Sequence, residues 1–351
     1  MGYNNKTVLV TGGLGFIGSN LAIRLVELGA RVIVVDSLRP GCGANSYNLA
    51  PVADRVELIP RDIGEAQEFR EVLAGCDVVF NLAGEVSHIH SMMAPERDLE
   101  INTAAHLRFL EVLRRERPGV RVVYAGTRQV YGVPKYLPVD EQHPVEPVDY
   151  NGVHKYATSL YHLMLSRMGA LDAVVLRLTN VYGPRMALRI PCQGVLSTFL
   201  RRALLGQDLE VYDGGQQLRD PVYVDDVVEA FLRVGAAASL PARTYNVAGP
   251  EALSLRQIAD TIAEAAGVRV ITQPFPAERK RIDIGSYVGD CQRLRRDLGW
   301  APRVCFADGI RASLAWYREH LAHYLEADRP PSCAMPEHQG RKRKLVLVPA
   351  Q

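Results

Sequence analysis

Three glycines spaced three residues apart lie in the segment Thr11–Gly18, directly after a short apolar stretch and before an amphipathic one. Gly12 and Gly15 permit a tight turn in which the backbone approaches a pyrophosphate, and Gly18 lets the following helix pack closely against the strand. The free N–H groups at the start of that helix attract phosphate groups. The segment therefore predicts a dinucleotide-binding loop.

Acidic residues follow the second and third predicted strands. Asp36 lies 18 positions after Gly18, where a carboxylate accepts hydrogen bonds from the adenosine ribose and repels a 2′-phosphate. This favours NAD over NADP, although the nearby Arg39 offsets part of the repulsion. Asp62 is a candidate for the adenine edge or, alternatively, for the N-cap of a helix.

Two histidines, His88 and His90, lie in the segment Glu85–Ser91 after the fourth predicted strand. We predict a loop there, at the carboxyl end of the sheet, where ligands bind in parallel α/β folds. Because histidine titrates near neutral pH, either side chain is a candidate to exchange a proton with a substrate hydroxyl. The alternative for each is a hydrogen-bonded loop histidine without a catalytic role.

The elements that must position these residues follow from hydrophobic patterning. In the first half of the chain, short β-branched stretches alternate with amphipathic ones, which predicts a parallel sheet covered by helices on both faces. The predicted strands are Thr7–Val10, Arg31–Asp36, Arg55–Pro60, Asp77–Leu82, Arg121–Tyr124 and Ala173–Leu178, and the predicted helices include Ser19–Leu28, Asp98–Arg117 and Asn151–Met168.

The pattern changes after about Asn180, where prolines and glycines interrupt the alternation and predict a smaller second lobe. We expect a dinucleotide-binding domain over residues 1–180, a substrate lobe over 181–326 that exchanges some elements with it, and a tail over 327–351. Within the second lobe, Ser254 and Gln257 fit a capping box, and Gly299 ends a helix that starts near Asp290. A last helix is predicted near Ala307–Leu325.

Composition excludes several classes of protein. The 351 residues are 48% hydrophobic and 23% charged, which suits a globular enzyme, and the net charge of +2 provides no field for nucleic-acid binding. The six cysteines have neither zinc-like nor disulfide-framework spacing, so we expect no metal site and a cytoplasmic location. The first strand is too short for a signal or membrane-spanning segment, so we expect no membrane role.

The motifs together resemble the extended short-chain dehydrogenase/reductase family, which includes UDP-galactose 4-epimerase and nucleotide-sugar dehydratases, and the match extends to about residue 325. The resemblance implies a doubly wound parallel Rossmann sheet with a smaller mixed α/β C-terminal substrate lobe, bound NAD and a homodimer. The motifs that carry it are Thr11–Gly18, Asn81–Gly84, Thr127–Gly132, Lys155, Asn180–Arg185 and Leu218–Asp226. Further cofactor contacts are then expected from Phe16, Ile17, Ile63, Leu82, Ala83 and Gly84.

The resemblance also implies catalytic roles, with one departure. Thr127 matches the family residue that binds the reacting oxygen, and Lys155 matches the lysine that holds the nicotinamide ribose. The family's proton carrier is a tyrosine four residues before that lysine, but Asn151 stands there. An amide orients a hydroxyl without exchanging protons near neutral pH. Another group must therefore move the proton; the histidine pair is the first candidate and Tyr150 the second.

On the substrate side, Arg128 and Gln129 replace the acidic pair of the dehydratases, which disfavours elimination of water. By resemblance, Asn180 contacts a diphosphate and Arg219 supplies charge to it, although an internal ion pair is the alternative for Arg219. The remaining candidates for contacts with a sugar are Ser91, Gln129, Arg185, Gln193 and Arg279.

Three hypotheses about function follow. The first is a nucleotide-sugar epimerase that works through a keto intermediate with tightly held NAD. The second is a net ketosugar reductase or dehydrogenase with exchangeable NAD(P)H, on a sugar such as an aminoglycoside-type antibiotic precursor. The third is a non-catalytic dinucleotide-binding protein. The expected partner is a small sugar or nucleotide sugar, with two copies of the chain pairing through the helices at Asp98–Arg117 and Asn151–Met168.

Overall fold

A computed structural model describes residues 2–190, 194–276 and 283–325. Its strands are β1 (Thr7–Thr11), β2 (Arg31–Val35), β3 (Val56–Ile59), β4 (Val78–Asn81), β5 (Arg121–Thr127), β6 (Asp172–Leu178), β7 (Val181–Tyr182), β8 (Leu209–Tyr212), β9 (Leu218–Arg219), β10 (Val222–Tyr223), β11 (Thr244–Val247), β12 (Leu253–Ser254) and β13 (Val270–Gln273). Its α-helices are α1 (Phe16–Glu27), α2 (Arg70–Ala74), α3 (His88–Met93), α4 (Pro95–Leu99), α5 (Ala105–Glu116), α6 (Tyr150–Arg167), α7 (Val195–Leu204), α8 (Val224–Ala236), α9 (Leu255–Ala266), α10 (Gln292–Leu298), α11 (Phe306–His320) and α12 (Ala322–Leu325).

Seven parallel strands form the central sheet in the order β11-β6-β5-β4-β1-β2-β3. Its central strands are apolar and buried, as a sheet covered on both faces requires; Val8, Leu9 and Val10 of β1 are fully buried. The chain leaves β1 toward β2 on one side and later returns to β4 on the other. This order confirms the doubly wound parallel sheet, and the reversal between β1 and β4 opens a crevice at the carboxyl ends of the strands.

A separate apolar core covers each face of the sheet. On one face, Leu21 and Leu25 of α1 pack in the same cluster as Val227 and Phe231 of α8. On the other face, the cluster is built by α2, α5, α6 and the turn before α2, with Phe109 fully buried at its centre. The helix α6, which carries three of the predicted catalytic residues, is therefore fixed against the sheet.

A third apolar cluster holds the smaller part of the fold together. It joins α7, α9, α11 and the strands β8 and β13, which pair in parallel. Two elements from the second half of the chain, α8 and β11, pack instead with the main sheet. The division of the chain at residue 180 stays a prediction, and the tail at residues 327–351 lies outside the described residues.

Several predicted boundaries change for local reasons. α1 begins at Phe16 rather than Ser19, and the helix predicted from Asp98 already starts at Pro95 and reaches α5 through a π-helical turn. The last predicted helix is interrupted at Leu321 between α11 and α12. The capping box of α9 is confirmed, and Gly299 ends α10 in the left-handed conformation, as predicted.

Among the described residues, no helix combines the length with the apolar composition needed to span a bilayer.

Candidate active site

One cavity of about 330 Å³ opens at the carboxyl ends of the central strands. Its volume falls within the usual range for small-molecule sites, and it lies at the point where the strand order reverses. The glycine-rich turn after β1, the ends of β4 and β5, and the first turns of α6 all contribute to its wall. The fold therefore brings most of the sequence-predicted residues to one place.

The glycine-rich turn has the geometry that a bound pyrophosphate requires. Gly12 adopts a φ of +67°, and a Cβ there would lie 2.8 Å from the backbone of Ala83. A Cβ at Gly18 would lie 2.3 Å from the carbonyl oxygen of Gly12, so only glycine lets α1 approach this closely. No side chain caps α1 after Gly15, which leaves the first N–H groups of the helix to a ligand. The turn fits the phosphates of a dinucleotide.

Residues around the end of β2 fit the adenosine half of the same ligand. The Asp36 carboxylate accepts hydrogen bonds from the backbone N–H of Leu14 at 3.0 Å and of Leu38 at 2.9 Å, which fixes it at the cavity wall. Arg39 pairs with Asp62 at 2.8 Å, so its charge is already partly neutralised. Asp62 caps the helical turn that follows β3 and also lines the cavity, so the two alternatives for this residue are compatible. The arrangement favours a ribose without a 2′-phosphate.

The remaining predicted cofactor contacts surround these groups. The cavity wall includes Phe16, Ile17, Ile63, Leu82, Ala83 and Gly84.

Thr127, Asn151 and Lys155 line the cavity together. Thr127 is the last residue of β5, and one helical turn places Asn151 and Lys155 on the same face of α6. Burial lowers the pKa of Lys155 to about 8, and the nearby carboxylates of Asp98 and Glu85 oppose that shift. The buried lysine is thus still mostly protonated at pH 7.

Asn151, which stands where the resemblance implies a tyrosine, is held by two hydrogen bonds. Its amide nitrogen donates to the carbonyl oxygen of Glu85 at 3.0 Å and to the carboxylate of Asp98 at 2.9 Å, while its carbonyl oxygen is buried without a partner. His154 binds the other oxygen of Asp98 at 2.7 Å. Tyr150 is 45% exposed, stacks on the ring of His154 and does not line the cavity. Asn151 therefore offers a hydrogen-bond acceptor, and Tyr150 is turned away from the site.

The two histidines separate because their segment is helical. The predicted loop Glu85–Ser91 is wrong in its second half: α3 begins at His88, and the Ser87 hydroxyl caps it by accepting from the N–H of His90 at 3.1 Å. Side chains two positions apart on a helix point in directions about 200° apart around its axis, so the side chains of His88 and His90 diverge. Only His88 lines the cavity, whereas His90 lies 3.4 Å from the buried Glu85 carboxylate.

His88 is held between two polar groups at the cavity wall. Its Nδ1 atom contacts the Asp149 carboxylate, and its Nε2 atom contacts the amide of Gln129. Asp149 also caps α6 by accepting from the N–H of Gly152 at 2.7 Å. Burial alone would raise the pKa of its carboxyl, but the hydrogen bonds from His88 and Gly152 lower that pKa overall. A carboxylate that accepts from Nδ1–H leaves Nε2 as the proton-accepting atom.

The predicted substrate residues divide into two groups. Gln129 and Asn180 line the cavity, and each has a buried carbonyl oxygen without a hydrogen-bond partner. Arg185 and Arg219 do not line it, because backbone carbonyl groups hold both guanidinium groups inside the protein; Arg219 donates to Leu218 and Gly285 at 2.7 and 2.6 Å.

Ser91 is also turned inward, since its hydroxyl donates to the carbonyl oxygen of His88 at 2.7 Å. Gln193 and Arg279 lie outside the described residues.

Sequence reasoning missed Asp149 as the partner of His88. The sequence places Asp149 directly before α6, where an aspartate is typical of an N-cap, but this position does not indicate a contact with His88. Arg128 was considered only as a replacement for an acidic residue, yet it lines the cavity beside Thr127.

Comparisons with known proteins agree with this geometry. The model of the NAD dependent epimerase/dehydratase family matches residues 8–248. A putative UDP-glucose 4-epimerase of Methanocaldococcus jannaschii is 31% identical over 89% of this chain and 99% of its own length. The solved structure of UDP-glucose 4-epimerase from Thermotoga maritima, with UDP-glucose, matches with a TM-score of 0.81 at 29% identity, covering 90% of this chain and 99% of that one. A dTDP-glucose 4,6-dehydratase of Streptomyces venezuelae, solved with NAD bound, matches with a TM-score of 0.80 at 29% identity, covering 91% and 98%.

Proposed function

The chain belongs to the NAD dependent epimerase/dehydratase family, and from that premise we propose that it epimerises a nucleotide-linked sugar through a keto intermediate. The observation that carries the proposal is that the glycine-rich turn, Asp36, Thr127 and Lys155 all line the same cavity. When bound, NAD supplies a hydride acceptor for oxidation of a secondary alcohol and a hydride donor for the return step. Arg128 and Gln129 in place of an acidic pair disfavour elimination of water.

We propose that His88 replaces the missing tyrosine as proton carrier. The sugar hydroxyl takes the place of the Gln129 amide at Nε2, and Thr127 orients the same oxygen. His88 accepts the hydroxyl proton as the carbon loses hydride, and it returns the proton when hydride comes back to the other face of the ketone. The buried Asp149 fixes the ring and stabilises the imidazolium that forms, and the ammonium of Lys155 adds positive charge beside the reacting groups.

The reductase hypothesis remains the second candidate because of Asn151. Asn151 is an amide where the family has an acid–base group. Loss of that group should slow the base-assisted oxidation of an alcohol more than it slows the delivery of hydride to a carbonyl. Turnover separates the two hypotheses. An epimerase retains NAD through purification and interconverts two sugar nucleotides without net change in cofactor absorbance.

The test uses the purified full-length chain with UDP-glucose, UDP-glucuronate and dTDP-glucose, with products separated by chromatography. We expect one of these to be converted to its epimer, and Lys155→Ala to abolish the conversion. Stoichiometric consumption of NAD(P)H by a ketosugar would favour the reductase instead. NAD binding without turnover of any sugar would favour the non-catalytic hypothesis.

We also propose a homodimer through the outer faces of α5 and α6. Leu107 on α5 and Val153, Leu160 and Met164 on α6 are exposed apolar side chains, and those on α6 recur at helical spacing. Two copies related by a two-fold axis would cover this patch. Light scattering should give twice the chain mass, and Leu160→Glu should give the monomer. The control variant Leu205→Glu, at an equally exposed leucine on another face, should remain a dimer. A wild type that is monomeric at micromolar concentration would refute the proposal.

A further inference from the structure

A buried cation at the cavity wall has no acidic contact. Arg128 directly follows Thr127, is 9% exposed and lines the cavity. Its Nη1 atom has no hydrogen-bond partner, and no carboxylate among the described residues forms an ion pair with it. The guanidinium lies 4.9 Å from the centre of the Tyr287 ring, which gives it a cation–π contact only. Buried charges are ordinarily paired, so this one calls for a ligand.

The acidic groups around Arg128 are already engaged. Asp220 accepts from the hydroxyl of Thr179 and from the N–H of Gly289 at 2.7 Å, and burial raises the pKa of its carboxyl to about 6. Asp149 holds His88. Burial lowers the pKa of the neighbouring Arg219, and repulsion by the charge of Arg128 lowers it further. The Asp283 carboxylate, which also acts on Arg128 through its charge, accepts from the side chain of Gln217 at 2.6 Å. Each nearby carboxylate therefore already has a hydrogen-bond partner, and none of these three pairs with Arg128.

The unpartnered polar atoms of the cavity form a complementary set. Gln129, Asn151 and Asn180 each present a buried carbonyl oxygen without a partner, and Arg128 presents a buried donor. Carbonyl oxygens accept from hydroxyl groups, whereas a guanidinium binds a carboxylate or a phosphate. The set suits a polyhydroxylated ring that also carries one anionic group.

We propose that the sugar bears a carboxylate and that Arg128 binds it, an inference that rests on the proposed function. Consecutive residues have Cα atoms about 3.8 Å apart, so Arg128 stands beside the residue that orients the reacting hydroxyl. An anion on the ring itself lies nearer that position than a diphosphate attached beyond the anomeric carbon. The substrate class is thus a nucleotide-linked uronic acid.

Titration calorimetry on the NAD-loaded full-length protein tests this inference. UDP-glucuronate and UDP-glucose differ only at C6, where one has a carboxylate and the other a hydroxymethyl group. The wild type is expected to bind UDP-glucuronate about tenfold or more tightly than UDP-glucose, the range of a charge-assisted hydrogen bond. Arg128→Met should remove that preference, Arg128→Lys should retain part of it, and Arg24→Met, on the exposed surface of α1, should leave it unchanged.

Three results would overturn the inference. Equal wild-type affinities, with turnover of UDP-glucose intact, would refute the carboxylate and leave the proposed function standing. An equal loss of UDP and UDP-glucuronate binding in Arg128→Met would assign Arg128 to the diphosphate. Binding of NAD without any sugar nucleotide would refute the proposed function and the inference together. Should Arg128→Met fail to fold, judged by its melting curve and NAD affinity, the wild type and Arg128→Lys decide the question.

Discussion

Two buried histidines beneath the glycine-rich turn should make the fold sensitive to mild acid. The amide nitrogen of Asn81 contacts His106 Nδ1 at 3.0 Å and His162 Nε2 at 3.2 Å, and its oxygen accepts from the Thr11 hydroxyl at 2.8 Å. His162 Nδ1–H donates to the carbonyl oxygen of Thr158 at 2.8 Å, so its Nε2 atom must be unprotonated to accept from Asn81. Both rings are fully buried and neutral in the folded chain.

The size of the effect follows from linkage. Burial lowers the pKa of His162 to about 4, against about 6.5 in the unfolded chain. The unfolded state binds more protons between these values, so the free energy of unfolding falls as the pH falls below about 6.5. From pH 7 to pH 5 this histidine alone removes about 2 kcal/mol. His106, whose pKa burial also lowers, adds to the loss.

Denaturant unfolding at pH 7 and pH 5 measures this difference. His162→Gln keeps an acceptor for Asn81 but cannot titrate. The free energy of unfolding that this variant loses between pH 7 and pH 5 should therefore be about 2 kcal/mol smaller than the loss in the wild type. Replacing the exposed His323 with glutamine should leave the wild-type difference intact. If His162→Gln lost as much stability between pH 7 and pH 5 as the wild type does, the assignment of His162 as a buried neutral imidazole would be refuted.

Four further predictions concern the active site. The alkaline limb of the kcat/KM profile should lie near pH 8, because deprotonation of Lys155 removes the buried ammonium; an unaltered rate to pH 10 would contradict this. His88→Gln should lower kcat by about 10²–10⁴-fold and flatten the acid limb, while His90→Gln should do neither. Asp149→Asn, which retains the helix cap, should lower kcat with little change in KM. An increase in KM with kcat unchanged would instead indicate a purely structural role for Asp149. Asp36→Asn should weaken NAD binding about tenfold and reduce the protein's preference for NAD over NADP, with both affinities measured by fluorescence titration.

The elements predicted well are those with local signals. The glycine-rich turn, the strand pattern and the capping box of Ser254 each depend on a few consecutive residues, and the structure has all three. The contact between His88 and Asp149 spans 61 positions and depends on a short helix that Ser87 starts, so spacing alone did not reveal it. The inward turn of Arg219 depends on the carbonyl group of the adjacent Leu218 and on that of Gly285, 66 positions along the chain, and no local pattern indicates the second contact.

Epimerisation through a keto intermediate requires that hydride leaves one sugar carbon and returns to the same carbon while NAD stays bound. A sugar nucleotide deuterated at C4, the position named for the relatives, tests this directly when it is incubated with the purified NAD-containing chain. We expect the epimerised product to retain deuterium at C4, with no net change in absorbance at the nicotinamide band. Loss of deuterium to solvent, or its appearance in free cofactor, would rule out the return of hydride from bound NAD to the same carbon.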